Sequence, residues 1–402
     1  MLLATRIFAP EAAAATFRLT QVVRSLIERG ASVRVLTSTP PPGRRADDSV
    51  DVPDAEISRA PVLRDANGYV RGYLQYLSFD VPLALRLLTV RRPDVVLVEP
   101  PPTTGAVVRV ITGLRSLTGT RLPYVYYAAD VWSDASESVG APGPVVGVLR
   151  AVERFALRGA RQVLAVSDGV ADRVRELGAD PVTVVRNGID TDVFTRHGER
   201  PAEAPTTPFL VYAGTASEWQ GAEIFAQAMR HVVQEVPGAR LVFLGQGSSW
   251  PALQRIAAEL PGGTIELRPL VPAEEAAAWQ RAAAGALVSI KPGLGYDFAY
   301  PTKVLAALAC GTPVVYAGPG PAAADLSAHS LGEAVEYAVG PVARAMVRVL
   351  RGHPLPEPER ARHAGWVHTH RSLARTGQEA ADSVLSTVGS LGGSWGGTTS
   401  PQ

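Results

Sequence analysis

Short runs of apolar and β-branched residues alternate along the chain with longer segments whose apolar positions recur at helical spacing. In the first half the runs cover residues 2–7, 32–38, 94–99, 124–129, 162–167 and 182–185. Between the first two, Phe17, Leu19, Val22, Val23 and Leu26 fall at helical spacing within 14–29. The runs are continuously apolar rather than alternating, which suits parallel strands buried on both faces. This is the β-α-β grammar of a doubly wound α/β domain.

The grammar breaks at 197–208, HGERPAEAPTTP, a polar and proline-rich stretch without an apolar face that reads as an interdomain linker. It then resumes. Strands are expected at 209–213, 240–244, 264–267, 286–290 and 313–316, and helices at 222–236, 250–260, 274–283, 302–309 and 342–351. A final helix is expected over 361–388, and the Gly/Ser/Thr-rich residues 389–402 as a disordered tail. The pattern thus predicts two Rossmann-like doubly wound domains, 1–196 and 209–360, joined by the linker. Two such domains facing one another form a cleft, and ligands of such sheets bind at the carboxyl ends of the strands.

Composition narrows the classes of function. A length of 402 residues fits two or three domains. A net charge of +1 offers no basic nucleic-acid surface. The single cysteine, Cys310, excludes a disulfide framework and any cysteine-based zinc site. His363, His368 and His370 lack the i, i+4 spacing of a helical metal pair, so neither a metal nor a cofactor is expected. The N-terminus lacks a secretory signal and no long uncharged apolar run occurs, which predicts a cytoplasmic protein. Of the 39 basic residues only two are lysines, Lys291 and Lys303.

Both lysines fall in the densest segment, ALVSIKPGLGYDFAYPTKVLAALACGTPVVYAG, residues 286–318. Lys291 ends a strand. A glycine-containing loop with Asp297, Tyr300 and Pro301 follows, then Thr302 as a plausible N-cap and Lys303 in the first turn. A phosphate there would meet free backbone N–H groups, the positive end of a helix dipole and two ammonium groups. In a chain that uses arginine nearly everywhere, two lysines in one loop point to a need for a compact, rotatable ammonium, with chance as the alternative. The strand-to-helix loop FLVYAGTASEWQG offers Gly214 for close backbone approach and Thr215 as a donor. LVFLGQGSSW carries Gln246 between two glycines but lacks the third glycine and closing acid of a nicotinamide fingerprint, which is rejected. In the first domain, Glu11 and Arg18 follow the first strand, and Asp130 stands just past the end of the strand in YVYYAADVWSD. Trp132 beside it reads as a platform or as core.

Taken in order, these pieces resemble a retaining glycosyltransferase of the GT-B fold, family 4 (glycosyl transferases group 1), and in particular the bacterial members that build surface polysaccharides. Phe8-Ala9-Pro10-Glu11 matches the family's F-x-P-E opening, and LIERGASVRVLTS its helix-strand unit. VRNGIDTDVF matches V-x-x-N-G-x-D-x-x-x-F, and YPTKVLAALACGTPVV is similar to P-S/T-K-x-x-E-Y-M-A-x-G-x-P-V. The resemblance implies a nucleotide-diphosphate sugar in the C-terminal domain, an acceptor in the N-terminal domain and a last helix crossing back to the first domain. It implies catalytic roles for Asp130, Lys291 and Lys303. Gly214, Thr215, Gln246, Asp297, Tyr300, Pro301 and Thr302 would bind the donor, and Glu11, Arg18 and Trp132 the acceptor, which is a glycan, a lipid-linked saccharide or a small molecule. The chain departs from the pattern at three places: Phe298 and Ala306 replace the family's glutamate pair, and Gln220 replaces a lysine. These departures keep open a second reading, a non-catalytic GT-B protein with a degenerate donor site. Residues 73–90, apolar and aromatic with arginines on both sides, read as a helix packed on the first sheet or as a peripheral membrane contact.

Overall fold

A computed structural model describes residues 1–402 except 12–13, 42–51, 66–69, 71, 120, 139 and 390–402. The chain separates into two compact units, residues 1–187 with 376–402, and residues 188–375. The expected disordered tail lies outside the described residues apart from Gly389, which ends a helix.

The first unit runs β1 (Leu2–Ala4), α1 (Ala14–Glu28), β2 (Arg34–Ser38), β3 (Glu56–Ala60), α2 (Tyr73–Thr89), β4 (Val96–Val98), α3 (Pro102–Ser116), β5 (Tyr124–Ala128), α4 (Trp132–Ser138), α5 (Gly143–Gly159), β6 (Gln162–Ala165), α6 (Asp168–Glu176) and β7 (Val182–Val184). All seven strands are parallel, in the order β3-β2-β1-β4-β5-β6-β7. Alternate residues of each strand feed opposite faces. Leu2, Ala4 and Tyr126 pack with Phe79, Leu83 and Leu87 of α2 on one side. Leu3 and Tyr127 pack with Leu19, Val22 and Leu26 of α1 on the other. Burial on both faces is why these strands read as unbroken apolar runs.

The second unit runs β8 (Phe209–Ala213), α7 (Glu223–Glu235), β9 (Arg240–Leu244), α8 (Trp250–Ala258), β10 (Ile265–Arg268), α9 (Ala273–Ala282), β11 (Gly285–Ser289), α10 (Thr302–Ala309), β12 (Val314–Ala317), α11 (Pro321–His329), β13 (Gly332–Val335), α12 (Val339–Arg351) and α13 (Glu357–Arg371). Its six strands are also all parallel, in the order β10-β9-β8-β11-β12-β13. The strand order reverses between β1 and β4 in the first sheet and between β8 and β11 in the second. Loops leaving these strands open the crevice where ligands of doubly wound sheets bind.

Two expectations differ from the structure, and two strands went unannounced. The stretch 197–208 belongs to the second unit, and the break between units falls at Asn187-Gly188. Its polar composition misleads because side chains tie it down. Ala204 is buried in the core around Trp279, Arg200 donates to the Pro205 carbonyl, and Arg196 pairs with Glu357. The single helix expected at 361–388 is two, α13 and α14 (Leu373–Gly389). Ser372 is extended, with φ −71° and ψ 147°. Its hydroxyl accepts the Arg375 N–H, so this serine acts as the N-cap of a new helix. From Thr376 onward α14 belongs to the first unit, where Ala380, Ala381 and Val384 pack beside α1 residues. Finally, β3 and β13 had no apolar run to announce them, being edge strands whose residues are mostly half-buried.

Candidate functional site

In the second unit the polar groups gather at the switch point. The loop after β8 starts at Gly214, whose φ of 112° lies in the region open to glycine. A Cβ there would lie 2.9 Å from Cε of Lys303. Lys303 enters α10 one residue after its start and reaches across to this loop. Its Nζ donates to the Tyr212 hydroxyl at 2.7 Å and to the Thr215 carbonyl, and sits 4.2 Å from the centre of the Tyr212 ring. Burial of the ammonium lowers its pKa to about 7. Tyr212 itself is pushed well above the ordinary phenol range, chiefly by burial, and stays neutral.

Gln220 has a structural role. It is buried, and its Oε1 accepts from the Ser217 N–H and hydroxyl, each at 3.1 Å, closing the loop on itself. Gly245 and Gly247, the two glycines of the incomplete fingerprint, serve backbone packing. A Cβ at Gly245 would lie 2.1 Å from the Gly214 carbonyl oxygen, and one at Gly247 2.2 Å from that of Ala216. Gln246 between them has an exposed side chain, while its carbonyl accepts the Ala216 N–H at 2.8 Å.

Lys291, after β11, borders the other end of the same loop. Its N–H donates to the Trp219 carbonyl at 2.9 Å, and its side chain is exposed. Trp219 stacks on Tyr296, ring centres 4.6 Å apart. Asp297 turns back on its own loop, its carboxylate accepting the Gly293 N–H at 3.1 Å. Tyr300 lies under the Arg371 guanidinium, 5.0 Å away, which is itself paired with Asp325 at 2.8 Å. The expected cap is corrected by one residue. Pro301 holds the N-cap position, extended and without a side-chain cap bond, and Thr302 is the first helical residue. The opening amides of α10 therefore lack the side-chain acceptor that a serine or threonine cap would supply, which suits an anion.

A cavity of about 170 Å³ opens beside these groups. Gly214, Thr302, Lys303 and Ala306 line it together with Ile189, Phe194, Leu270 and Val271. Ile189 and Phe194 fall in the VRNGIDTDVF motif, whereas Leu270 and Val271 were not singled out, because isolated apolar residues in loops carry no periodic signal. The methyl of Ala306 stands where the family pattern has a glutamate, so the wall there is apolar. Phe298, at the other glutamate position, is 49% exposed.

In the first unit, charged groups converge on the loops after β1, β4 and β5. Arg18 pairs with Glu99, and its guanidinium lies 5.1 Å from the Tyr127 ring centre and 3.4 Å from Oδ1 of Asn187. Burial opposes the Arg18 charge, but Glu99, Tyr127 and Asp130 more than offset it and its pKa is raised. Asp130 faces solvent from close walls whose desolvation raises its carboxyl pKa, against the pull of Arg18. Glu11 is engaged rather than open: its carboxylate is buried and accepts from Arg64 at 3.1 and 3.3 Å. Trp132 sits edge-on to Tyr76 at 5.7 Å, with Arg6 4.5 Å from the Tyr76 ring centre. Glu99, Arg6, Arg64 and Tyr76 were not singled out in the sequence. Glu99 had a usable signal, as the acid closing a buried strand beside the point where the strand order reverses.

Two all-parallel doubly wound sheets, each with its polar groups at the switch point, define an α/β protein of the GT-B class. Residues 14–188 match the family described as Glycosyl transferase 4-like domain, and residues 207–351 match Glycosyl transferases group 1. The chain belongs to the family 4 glycosyltransferases of the GT-B fold. Among curated relatives it is 31% identical over 188 residues to the D-inositol 3-phosphate glycosyltransferase of Xylanimonas cellulosilytica, and spans 43% of that protein's length. Among solved structures it is similar to Anabaena HepE in complex with UDP and glucose, with a TM-score of 0.63 at 16% identity, covering 96% of this chain and 99% of that one. WaaG, a glycosyltransferase involved in lipopolysaccharide biosynthesis, gives 0.66 at 15% identity, covering 95% and 99%. Among the described residues no group of three or more His, Cys, Asp or Glu side chains could hold a metal ion.

Proposed function

We propose that the protein transfers a sugar from a nucleoside-diphosphate donor to a glycan, lipid-linked or small-molecule acceptor, with retention at the anomeric carbon and without a metal ion. The observation that carries this is Lys303, an ammonium held by Tyr212 and Thr215 at the mouth of a cavity beside the opening amides of α10. The nucleoside end takes the apolar side of that cavity. The diphosphate takes Gly214, Thr215, Thr302 and Lys303, with Lys291 at the rim and Gln246, Asp297, Tyr300 and Pro301 shaping the surrounding loops. As the bond from the anomeric carbon to the diphosphate oxygen breaks, charge grows on the leaving oxygen, and the Lys303 ammonium stabilises it. The acceptor oxygen bonds to the same face of the anomeric carbon, and its proton passes to the departing phosphate oxygen. Asp130 and Arg18 orient the acceptor, Trp132 offers it a flat face, and Glu11 holds Arg64 in place beside them.

HepE binds UDP and glucose, so uridine diphosphate sugars are the first donors to test. The expected result is thermal stabilisation by one nucleotide sugar, about 2.7 kcal/mol at 100 times its dissociation constant, together with turnover. The apolar Ala306 wall favours a second reading, a non-catalytic protein with a degenerate donor site. Absence of stabilisation by any UDP-, GDP- or dTDP-sugar would select that reading.

The protein is further proposed to be cytoplasmic and to touch the inner membrane face. Helix α2 packs on the sheet through Phe79, Leu83 and Leu87, as the first of the two expectations had it. Its opposite face exposes Leu74, Leu77, Val81, Leu85 and Leu88 in one stripe. Among the described residues no helix is long and apolar enough to cross a membrane. Flotation with anionic vesicles is expected for the native chain and is expected to be lost in the L77S/L85S variant. Equal flotation of both would remove this contact from the proposal.

A further inference from the structure

The amino ends of the first unit's strands, away from the loops described above, carry a second concavity. A cavity of about 680 Å³ lies where β5, β6 and β7 begin, against the final turns of α3 and α5. That volume is within the usual range for a small-molecule site. Arg109, Arg121, Arg158 and Arg161 line it, against one carboxylate, Asp180.

Helix dipoles explain only part of this gathering. Arg158 lies in the last turn of α5, where a cation is favourable. Arg109 lies two turns before the end of α3, and Arg121 and Arg161 lie outside any helix. Some arginines elsewhere on this chain meet carboxylates, as Arg173 meets Asp134 and Glu176. Among the described residues neither Arg121 nor Arg158 has such a partner, and both are exposed at the cavity. Several guanidinium groups around one concavity sum to a strongly positive potential.

Two of these side chains have fixed surroundings. Arg109 donates to the Phe155 carbonyl and lies 4.1 Å from the centre of the Phe155 ring. Arg158 occupies the space beside Gly178, where a Cβ would lie 2.5 Å from its Nε. The neutral hydroxyls around the cavity are turned to the backbone: Thr112 donates to Val108, Ser116 to Thr112 and Tyr124 to Ala156. The exposed side-chain donors Arg121 and Arg158 that line the cavity are charged forks, which suit the oxygens of a phosphate better than the hydroxyls of a sugar.

We propose that this arginine-lined cavity is a phosphate-binding site, separate from the candidate donor and acceptor sites. Its ligand is a phosphate ester, either a soluble metabolite or the headgroup of an anionic lipid. The proposal does not depend on catalysis by the second unit.

The test uses the full chain and four forms: native, R121Q/R158Q, K303M as a control for the donor site, and all three substitutions together. Thermal stabilisation by millimolar inorganic phosphate is measured against equal ionic strength of chloride. K303M removes the donor site's share of the response and is expected to keep a phosphate response of its own. R121Q/R158Q is expected to need at least about tenfold more phosphate, as losing charge-assisted hydrogen bonds implies. Its unfolding temperature in chloride is expected to match the native one, because both arginines are exposed. A phosphate response in the triple variant equal to that of K303M, or no response in K303M, overturns the proposal. Sedimentation with vesicles of phosphatidylglycerol and phosphatidylcholine then names the source. Loss of sedimentation in R121Q/R158Q assigns a lipid headgroup, and unchanged sedimentation with a weakened phosphate response assigns a soluble ester.

Discussion

Replacing Lys303 with methionine is expected to lower sugar transfer by about 10² to 10³, the usual effect of removing one donor aimed at developing oxyanion charge. Methionine keeps the length and the apolar stem beside Gly214 and removes the ammonium. The loss should fall on kcat more than on KM, because the charge Lys303 meets is larger in the transition state than in the bound donor. Folding should survive. The ammonium is already disfavoured by its surroundings, which hold its pKa at about 7 against an ordinary 10.5. Between about pH 7 and the ordinary lysine range the unfolded chain binds the extra proton, so this group makes stability rise with pH across that window. Below about pH 7 the ammonium is charged in both states, and the cost of its desolvation is felt in full. Arginine at 303 is not expected to rescue transfer, since its planar fork does not reproduce the compact ammonium held by the Tyr212 hydroxyl and the Thr215 carbonyl. Measured steady-state rates for K303M within threefold of native would reject the role given to this residue.

The same residue links donor binding to protons. A diphosphate beside Lys303 favours the ammonium, so above about pH 7 binding should take up close to one proton. Donor affinity should then fall as pH rises through this range, and the slope should vanish in K303M. Calorimetry in buffers of different ionisation enthalpy reads that uptake directly.

Much of this site was legible in the sequence, for identifiable reasons. Strand β8, strand β9 and helix α10 carried complete signals: an unbroken apolar run, or an apolar helical face behind a proline. The rarity of lysine drew attention to Lys303, and the structure shows that side chain packed beside Gly214 and bonded to the Tyr212 hydroxyl and the Thr215 carbonyl. What stayed hidden depended on tertiary pairing. Glu11 looked like a free acid until Arg64, 53 residues away, was placed on it. Gln220 read as a lost lysine, whereas its amide closes the loop that holds Thr215 in place. The stretch 197–208 read as a linker because its anchors, Arg281 beside Gly198 and Glu357 on Arg196, lie far along the chain. The break at Ser372 had only one serine to signal it.

The pairing of Arg18 with Glu99 sets the second large expectation, which concerns stability. Both side chains are nearly enclosed, with 12% and 8% of their surfaces exposed. Taking two charges out of water is costly, and only their mutual attraction and hydrogen bonds offset it. Glu99 also accepts from the Thr5 hydroxyl at 3.1 Å, so one carboxylate ties the ends of β1 and β4 to α1. Glu99→Ala leaves the Arg18 guanidinium buried beside Tyr127 without its partner, at a cost of about 3–5 kcal/mol. In a unit of this size that lowers the unfolding temperature by on the order of 10 °C. The paired replacement R18M/E99L should cost much less, because two apolar side chains need no charge compensation. Its thermal stability should lie nearer the native chain than that of either single variant, a coupling that a double-mutant cycle measures directly. Additive losses in the two single variants would show that the pair does not act as a unit. A stable R18M/E99L chain that has lost transfer would separate the two demands on this pair: the fold requires only that the charges cancel, while acceptor orientation beside Asp130 requires that they be present.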